Sequence, residues 1–289
     1  MPFREWKLAR RTLPYGDKTL VMGVLNVTPD SFSDGGRFLT PESALEHGLQ
    51  LIEEGADIID VGGESTRPGS EFVSEEEELE RVIPVIEELA ARASVPISID
   101  TTKASVARAA LEAGAEIVND VSGLRFEPAI ADVVAKSRAA LVLMHSRGTP
   151  KTMQKLPPVK DIMTEVIVDL RHSIAMAEQH GVARESIAID PGIGFGKTVD
   201  QNLELIAGLE QLRRAFPNFP LTIGTSRKFF IGKLLSGAPV DQRLHGTLAS
   251  VVAAVMNGAH IVRVHDVKAA VEALTVANAI QRAAIQLND

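Results

Sequence analysis

The sequence predicts a single-domain (β/α)8 barrel, or TIM barrel, that takes up residues 1–289. Three observations support this fold class. The chain has eight short apolar runs rich in β-branched residues, each run is followed by a segment with helical periodicity, and the length of 289 residues is close to the roughly 250 of a typical barrel. Runs that are apolar throughout are typical of parallel strands, which are buried on both faces. A doubly wound sheet of eight strands fits less well, because it would leave two edges to cover.

The eight strands are predicted, in chain order, at residues 20–26, 57–61, 97–100, 117–119, 140–144, 187–190, 221–224 and 261–264. A short hairpin is predicted across residues 7–20. Residues 1–19 would then form an N-terminal extension and residues 20–289 the barrel, and no change of composition marks a second domain.

Helix-terminal residues mark the segments between the strands. Thr40 is predicted to be the N-cap of the first helix, with Pro41 at its first position, and Ser74 with Glu77 fits a capping box. Pro84 should kink or divide the helix that follows. Glycines suited to left-handed C-caps stand where helices are expected to end, at Gly55, Gly114, Gly181 and Gly258.

The composition excludes several classes of function. A formal net charge of −8 argues against a general surface for nucleic acid or anionic membranes, because both need clustered Lys and Arg. The chain has no cysteine, which excludes disulfides, thiolate metal sites and cysteine nucleophiles. The charged N-terminus lacks the apolar core of a signal peptide, and no apolar run reaches about 18 residues. These features predict a cytoplasmic protein that binds neither nucleic acid nor membranes.

Polar side chains stand where the apolar strands end, and the longest predicted loops, at residues 27–39, 62–73 and 145–158, also follow strands. These positions lie on the catalytic face of a barrel. Any one of the polar residues could instead be a helix cap. Together they bring carboxylates, carboxamides and cations to one rim, and they are Asn26, Glu64, Asp100, Asn119, Asp190, Lys228, Arg263 and His265.

The chemistry of these residues predicts a site in two parts. Asp100, Asn119 and Asp190 offer carboxylate and amide groups that suit a planar heterocycle with several N–H donors. Asp190 and Lys228 could alternatively form a buried structural ion pair. The second part suits an anion and a hard cation such as Mg²⁺, because arginine forms forked bonds to phosphate and asparagine supplies an oxygen ligand. It consists of Asn26, Arg67, Arg263 and His265.

Two other kinds of site are not supported. Residues 192–198 end like a Walker A loop, but Pro191 occupies the position of its first required glycine, so neither ATP nor NAD is predicted. The glycines there would instead let the backbone approach a flat ligand, with Phe195 either at the ligand edge or in the core. The seven histidines show no zinc-binding pairing such as HExxH.

Longer motifs resemble those of the bacterial dihydropteroate synthases, a family of pterin-binding TIM barrels. The matching motifs, from about residue 18 to the C-terminus, are GVLNVTPDSFSDGG at 23–36, GGESTRPG at 62–69, NDVSG at 119–123, DPGIGFGKT at 190–198, SRK at 226–228 and RVHDV at 263–267. The resemblance implies a transferase of alkyl groups that condenses 6-hydroxymethyl-7,8-dihydropterin diphosphate with 4-aminobenzoate. The implied products are 7,8-dihydropteroate, an intermediate of folate biosynthesis, and diphosphate.

The resemblance also implies roles for individual residues. The pterin would be bound by Asp100, Asn119, Met144, Asp190, Phe195, Gly224 and Lys228, and its diphosphate by Asn26, Thr66, Arg67, Arg263 and His265. The 4-aminobenzoate pocket would include Phe32, Thr66, Pro68, Phe195 and Lys228. Asn26 would ligate Mg²⁺. Asp34, Arg67 and Lys228 would be catalytic in an SN1-like reaction, in which Asp34 stabilises a cationic pterin methylene.

Phe229 is a departure, because some family members have at this position a small polar residue that touches 4-aminobenzoate. If Phe229 faces the pocket, it narrows the pocket and alters sulfonamide binding. If it packs inward as the start of a helix, neither changes.

Two alternative functions are considered: a barrel that holds methyltetrahydrofolate for a corrinoid methyltransferase, and a non-catalytic pterin-binding scaffold. The first would not need the predicted diphosphate-binding residues. The resemblance also implies a homodimer formed through the last helices, with apolar contacts from residues 246–256 and 269–280, although core packing explains those residues equally well.

Overall fold

Eight parallel strands surround the centre of the computed structural model, which describes residues 4–28, 40–65, 69–149 and 151–286. The strands are β3 (Leu20–Asn26), β4 (Ile58–Gly62), β5 (Ile97–Asp100), β6 (Ile117–Asp120), β7 (Ala140–Met144), β8 (Ile187–Asp190), β9 (Thr222–Ile223) and β10 (Ile261–Val264). Their hydrogen-bonded order is β8-β7-β6-β5-β4-β3-β10-β9, and a parallel bridge between Ile189 and Leu221 joins the two ends. The predicted (β/α)8 barrel is confirmed.

Helices pack around the outside of the strands. They are α1 (Pro41–Glu53), α2 (Glu75–Arg92), α3 (Ala104–Glu112), α4 (Ala129–Ser137), α5 (Ile162–Gln179), α6 (Val199–Ala207), α7 (Leu209–Ala215), α8 (Phe229–Leu234), α9 (Leu244–Met256) and α10 (Val267–Gln286). Each barrel strand is followed by at least one helix. In the described segments, no helix is both long and apolar enough to cross a bilayer.

The helix boundaries follow the predicted caps with one exception. Thr40 accepts a hydrogen bond from the Ser43 amide ahead of Pro41, and Ser74 accepts from the Glu77 amide, but the Glu77 side chain bonds to Arg81 and the predicted capping box is not completed. The four predicted glycines have φ between 90° and 118°. Of the two outcomes predicted for Pro84, a kink or a division of the helix, division is wrong, because α2 is continuous through it. The buried face of α2, formed by Val82, Val85, Ile86 and Leu89, packs on the barrel and offsets the roughly 3 kcal/mol that an internal proline costs.

The core has two parts because side chains alternate along each barrel strand. Val21, Leu25 and Ile59 point outward and pack under the helices, in the larger cluster. Met22 and Ile58 point inward and fill the barrel interior. The interior filling lies toward the N-terminal ends of the strands, which leaves the carboxyl ends for polar groups.

The N-terminal hairpin closes the bottom of the barrel, but not where the sequence predicts it. Its strands are β1 (Arg4–Lys7) and β2 (Thr12–Tyr15), so it starts and ends earlier than residues 7–20. The reason is Trp6, which is fully buried against the interior cluster and donates from Nε1 to the Ser186 carbonyl at 3.0 Å. Burial of this side chain fixes the register of the hairpin.

Candidate active site

The parallel register brings predicted site residues into one row at the carboxyl end of the barrel. Asn26 pairs with Gly62, Gly62 with Asp100, and Asp100 with Asn119, across β3 to β6. The sequence identifies these residues one at a time as strand ends. The structure places them side by side, as convergence on one rim requires.

Arg263 lies within this group. Its Nε donates to Asp60 Oδ2 and its Nη2 donates to Asp100 Oδ2, each at 2.6 Å. Asp60 Oδ2 also accepts from Asn119 Nδ2 at 3.0 Å. Asp60 is fully buried within β4, and sequence reasoning misses it because it does not end a strand. Arg263 therefore joins the two parts of the predicted site.

Burial and neighbouring charges set the protonation of this cluster. Burial, opposed by Arg263, raises the pKa of Asp100 to about 7. Burial also raises the pKa of Asp190, against the attraction of Lys228. Burial disfavours the charge on Arg263, but Asp60 and Asp100 outweigh it and raise the pKa of Arg263. The site therefore combines a permanently charged arginine with a carboxyl group that titrates near neutral pH.

Lys228 follows β9 and approaches the pocket from the other side. Its Nζ donates to the Ile193 carbonyl and lies 4.5 Å from the centroid of the Phe195 ring. Burial lowers the pKa of Lys228 to about 8, although Asp190 counteracts this. Lys228 and Asp190 are both described, and their charged atoms do not pair within 4.0 Å. The two charges attract each other without forming a contact ion pair.

The two uncharged residues predicted to bind the pterin also lie at this end of the barrel. Met144 is buried at the end of β7 and pairs with Asp190 in the register of β8. A Cβ atom on Gly224 would lie 3.7 Å from Arg263 Cβ and 3.8 Å from Lys228 Nζ. The absence of a side chain at Gly224 therefore keeps space between these two cations.

A buried lysine organises the loop after β8. Lys197 Nζ donates to the carbonyls of Gly192, Phe195 and His145 at 2.7, 3.1 and 3.3 Å, and burial lowers its pKa well below the ordinary value. Gly192 has φ +69°, and a Cβ there would lie 1.8 Å from the His145 carbonyl oxygen. The Gly192 backbone thus approaches a neighbouring strand end, whereas the sequence interpretation assigned the close approach to a ligand.

His265 and its neighbours form the edge of the site next to β10. The His265 ring lies 3.0 Å, through Nδ1, from Ser226 Oγ. Arg227, one residue before Lys228, has a left-handed φ of +57° and forms a forked ion pair with Asp266. The SRK and RVHDV motifs contain this pair, but the spacing of the motifs alone does not indicate the contact.

A cavity of about 360 Å³ opens beside the cluster. Its walls include Asp100 and Phe195, and the loop after β4 contributes Glu64, Ser65, Ser70 and Phe72.

Five predicted residues, Phe32, Asp34, Thr66, Arg67 and Pro68, lie outside the described residues. Phe229 is described: it is the first residue of α8 and is half-buried, and the following residue, Phe230, is the one packed in the core. Phe229 is not among the described residues that line the cavity.

Asn26 is suited to holding Mg²⁺. It is half-buried at the end of β3, and a Cβ on Gly62 would lie 3.9 Å from Asn26 Oδ1 and 3.8 Å from Asp100 Oδ2. The side-chain oxygen atoms of Asn26 and Asp100 therefore lie on either side of Gly62, which has no side chain to fill the space between them. One side-chain oxygen combined with substrate phosphates is a common coordination pattern for Mg²⁺.

A second group of possible ligands lies between β7 and α5. The ligand atoms of His145, Glu165 and Asp169 lie within 4.8 Å of one another. Arg147 Nε is 2.9 Å from Glu165 Oε1, however, and already neutralises that carboxylate. Burial lowers the pKa of His145 to about 4. We interpret this group as a network that fastens α5 to β7.

The structure is a TIM barrel whose rim carries polar side chains, one of which titrates near neutral pH. Comparison with known proteins identifies the family to which this barrel belongs. The chain belongs to the family described as pterin binding enzyme, whose model matches residues 22–265.

Within that family, the relatives are dihydropteroate synthases. The enzyme of Synechocystis sp. is 49% identical over 268 residues, covering 93% of this chain and 92% of the relative. The Xanthomonas albilineans structure with 4-aminobenzoic acid has a TM-score of 0.89 at 46% identity, covering 96% of this chain and 98% of that one. The Yersinia pestis structure with a sulfonamide drug has a TM-score of 0.90 at 43% identity, covering 96% and 99%. The chain is a member of the dihydropteroate synthase family.

Proposed function

We propose that this pocket condenses 6-hydroxymethyl-7,8-dihydropterin diphosphate with 4-aminobenzoate to give 7,8-dihydropteroate and diphosphate, a step of folate biosynthesis. The main observation behind the proposal is the buried cluster of Asp60, Asp100, Asn119 and Arg263, bonded at 2.6–3.0 Å. A pterin presents several N–H donors and ring acceptors in one plane, and carboxylate, amide and guanidinium groups match them. The corresponding activity of relatives that cover nearly the whole chain supports the same reaction.

The pterin ring is held by Asp100, Asn119, Asp190 and Lys228 in this proposal. The carboxylates accept from ring N–H groups, and Lys228, already close to the Phe195 ring, donates to a ring acceptor. Ionised Asp100 is the better acceptor, so the pKa of about 7 makes pterin binding respond to pH.

The diphosphate is held by Asn26, Arg263 and His265, with Mg²⁺ bound through Asn26. Bound Mg²⁺ supplies positive charge to the leaving diphosphate. Arg263 contributes a permanent positive charge, since its pKa is raised by Asp60 and Asp100. These residues lower the barrier to cleavage of the bond between the pterin methylene and the diphosphate oxygen.

The reaction is SN1-like in this proposal. The carbon–oxygen bond to diphosphate breaks first, the aniline nitrogen then forms a bond to the cationic methylene, and that nitrogen releases a proton. Phe195 lines the cavity on the 4-aminobenzoate side, and Lys228 lies over its ring. Exclusion of water during the reaction would prevent capture of the cation. Electrostatic stabilisation by Asp34 remains a prediction.

A direct assay tests the proposal. Purified protein with Mg²⁺ and the pterin diphosphate should form dihydropteroate, with matching release of diphosphate, only when 4-aminobenzoate is supplied. The Asp100→Asn variant is the matched control and should bind the pterin more weakly. Absence of product above background from the unaltered protein would exclude the assignment. Equal affinity for free and diphosphorylated pterin would instead favour a methyltetrahydrofolate-type pterin barrel.

Three further properties belong to this proposal. We propose that the chain forms a homodimer through α9 and α10, where Met256, Val276 and Ile280 are exposed. Sulfonamide drugs would compete with 4-aminobenzoate, a conclusion supported by the drug complex of the Yersinia pestis relative. We place the activity in the cytoplasm, because a diphosphorylated substrate crosses a bilayer poorly.

A further inference from the structure

Lys103 occupies an unusual position beside the candidate active site. It follows β5, three residues after Asp100, and directly precedes α3. Its Nζ lies between Glu64 Oε2 and Glu78 Oε2, at 2.5 Å from each. The exposed fractions of the Lys103 and Glu78 side chains are only 6% and 1%. The mechanism proposed above gives this buried group of three charges no role.

The positive charge on Lys103 is maintained by its two carboxylate partners. Burial opposes the charge on Lys103, but the hydrogen bonds to Glu64 and Glu78 outweigh it and raise its pKa. Burial raises the pKa of Glu78. Buried ion pairs usually give little net stability compared with apolar side chains of similar volume. The loop contacts that these three residues fix therefore explain their presence better than a gain in folding stability does.

The group connects the two ends of one loop. Glu64 lies just after β4, whereas Glu78 lies in the first turn of α2, so Lys103 ties the start of the intervening loop to its end. Two weaker contacts add to this: Glu64 Oε1 accepts from the Val73 amide at 3.4 Å, and Lys103 Nζ lies 4.8 Å from the centroid of the Phe72 ring.

This loop forms one wall of the cavity. Ser65, Ser70 and Phe72 line it together with Asp100, and Phe72 is 72% exposed. A phenylalanine so exposed has little apolar packing to hold it. The ammonium of Lys103 and the Glu64 contact therefore hold the wall on the side of Asp100, and the bonds from Ser70 Oγ to the Ser65 carbonyl and from Arg81 to the Gly63 carbonyl hold the same loop elsewhere.

We propose that Lys103 is a positioning residue for the second substrate: it fixes the loop after β4 so that the cavity wall has the shape that 4-aminobenzoate needs. The inference deepens the proposed function and rests on it. Ser65, Ser70 and Phe72 line the same cavity as Phe195, which borders 4-aminobenzoate in the proposed function. Lys103 itself does not touch the reacting atoms in this proposal.

Steady-state kinetics of Lys103→Met, with each substrate varied separately, test the inference. We expect the KM for 4-aminobenzoate to rise at least tenfold, while kcat and the KM for the pterin diphosphate change less than threefold. Lys103→Arg restores the positive charge and should recover most of the loss. The matched control is Lys18→Met, which removes the exposed pair with Asp57 and should keep both KM values.

Glu64→Gln provides a second test that does not depend on the folding of Lys103→Met. Glu64 is partly exposed, and its replacement weakens the same contact to the loop without leaving an unpaired buried lysine, since Glu78 remains. It should raise the KM for 4-aminobenzoate selectively and speed amide hydrogen exchange in residues 69–73. Unchanged KM in both variants, or equal changes for both substrates, would overturn the inference. Absence of dihydropteroate from the unaltered protein would instead refute the proposed function.

Discussion

Asp100 should make the stability of the protein depend on pH in a direction opposite to that of an ordinary paired carboxylate. Its pKa is raised from 3.8 to about 7 by burial, with Arg263 opposing the rise. Between these values the folded protein keeps a proton on Asp100 that the unfolded chain has lost. Because the folded state binds more protons there, the free energy of unfolding falls as pH increases from about 4 to about 7.

The size of this effect follows from the pKa difference. A difference of about 3 pKa units corresponds to about 4 kcal/mol in total, at roughly 1.4 kcal/mol per unit. About 3 kcal/mol of this should be lost between pH 5 and pH 8, and little more above pH 8. The Asp100→Asn variant has a neutral side chain at every pH and should not show this decline.

The measurement is the free energy of unfolding in urea at pH 5, 6, 7 and 8 for both proteins. Subtracting the unaltered protein from the variant removes the contributions of other titrating groups, and the difference should increase by about 3 kcal/mol from pH 5 to pH 8. A difference that stays constant would refute the raised pKa. A constant difference is the result expected if Asp100 is ionised in both the folded and the unfolded state, as pairing with Arg263 favours.

Three other results are expected. His265→Ala should weaken binding of the diphosphorylated pterin at least tenfold more than binding of the free pterin, whereas Arg263→Ala should weaken binding of both, because Arg263 also contacts Asp60 and Asp100. Calorimetric titration with the two ligands measures these affinities, and equal losses of affinity in His265→Ala would contradict the role of His265. Gly192→Ala should destabilise the fold by more than about 3 kcal/mol, since its Cβ would overlap the His145 carbonyl. Gly16→Ala is the control: no atom lies within 4 Å of its Cβ, so it should cost only about 1 kcal/mol of backbone strain. Equal decreases in melting temperature in the two variants would show that the overlap is relieved. Removal of Mg²⁺ with EDTA should abolish turnover and lower affinity for the diphosphorylated pterin, with free pterin bound as before, and unchanged turnover would remove Mg²⁺ from the proposal.

The barrel was predictable from the sequence because its strands are buried on both faces. The runs at 20–26, 97–100, 140–144, 187–190 and 261–264 are mainly apolar and have the same bounds in the structure. The run at 221–224 is shorter in the structure, where β9 is Thr222–Ile223. The hairpin was misplaced because the position of Trp6 depends on its packing in the interior cluster and its bond to the Ser186 carbonyl, contacts that no local pattern describes.

The site was predictable where its residues end strands and not where they lie elsewhere. Asp100 and Asn119 follow from that rule, and the parallel register makes them neighbours. Asp60 lies inside β4, and Lys103 acts through residues distant in the chain, so neither gives a local signal. Similarly, the position of Arg263 between two carboxylates depends on contacts between β10, β4 and β5, which only the folded barrel brings together.

The junction between β8 and β9 is the most weakly bonded seam of the barrel. A single bridge between Ile189 and Leu221 joins strands that elsewhere in the ring pair over two to five residues. Few hydrogen bonds mean a low free energy of local opening, so this seam should exchange its amide hydrogens sooner than β3 or β4. Asp190 and Lys228 lie on its two sides. Any local opening of the barrel should therefore begin between the acidic and basic walls of the pocket, before it disturbs the other strands.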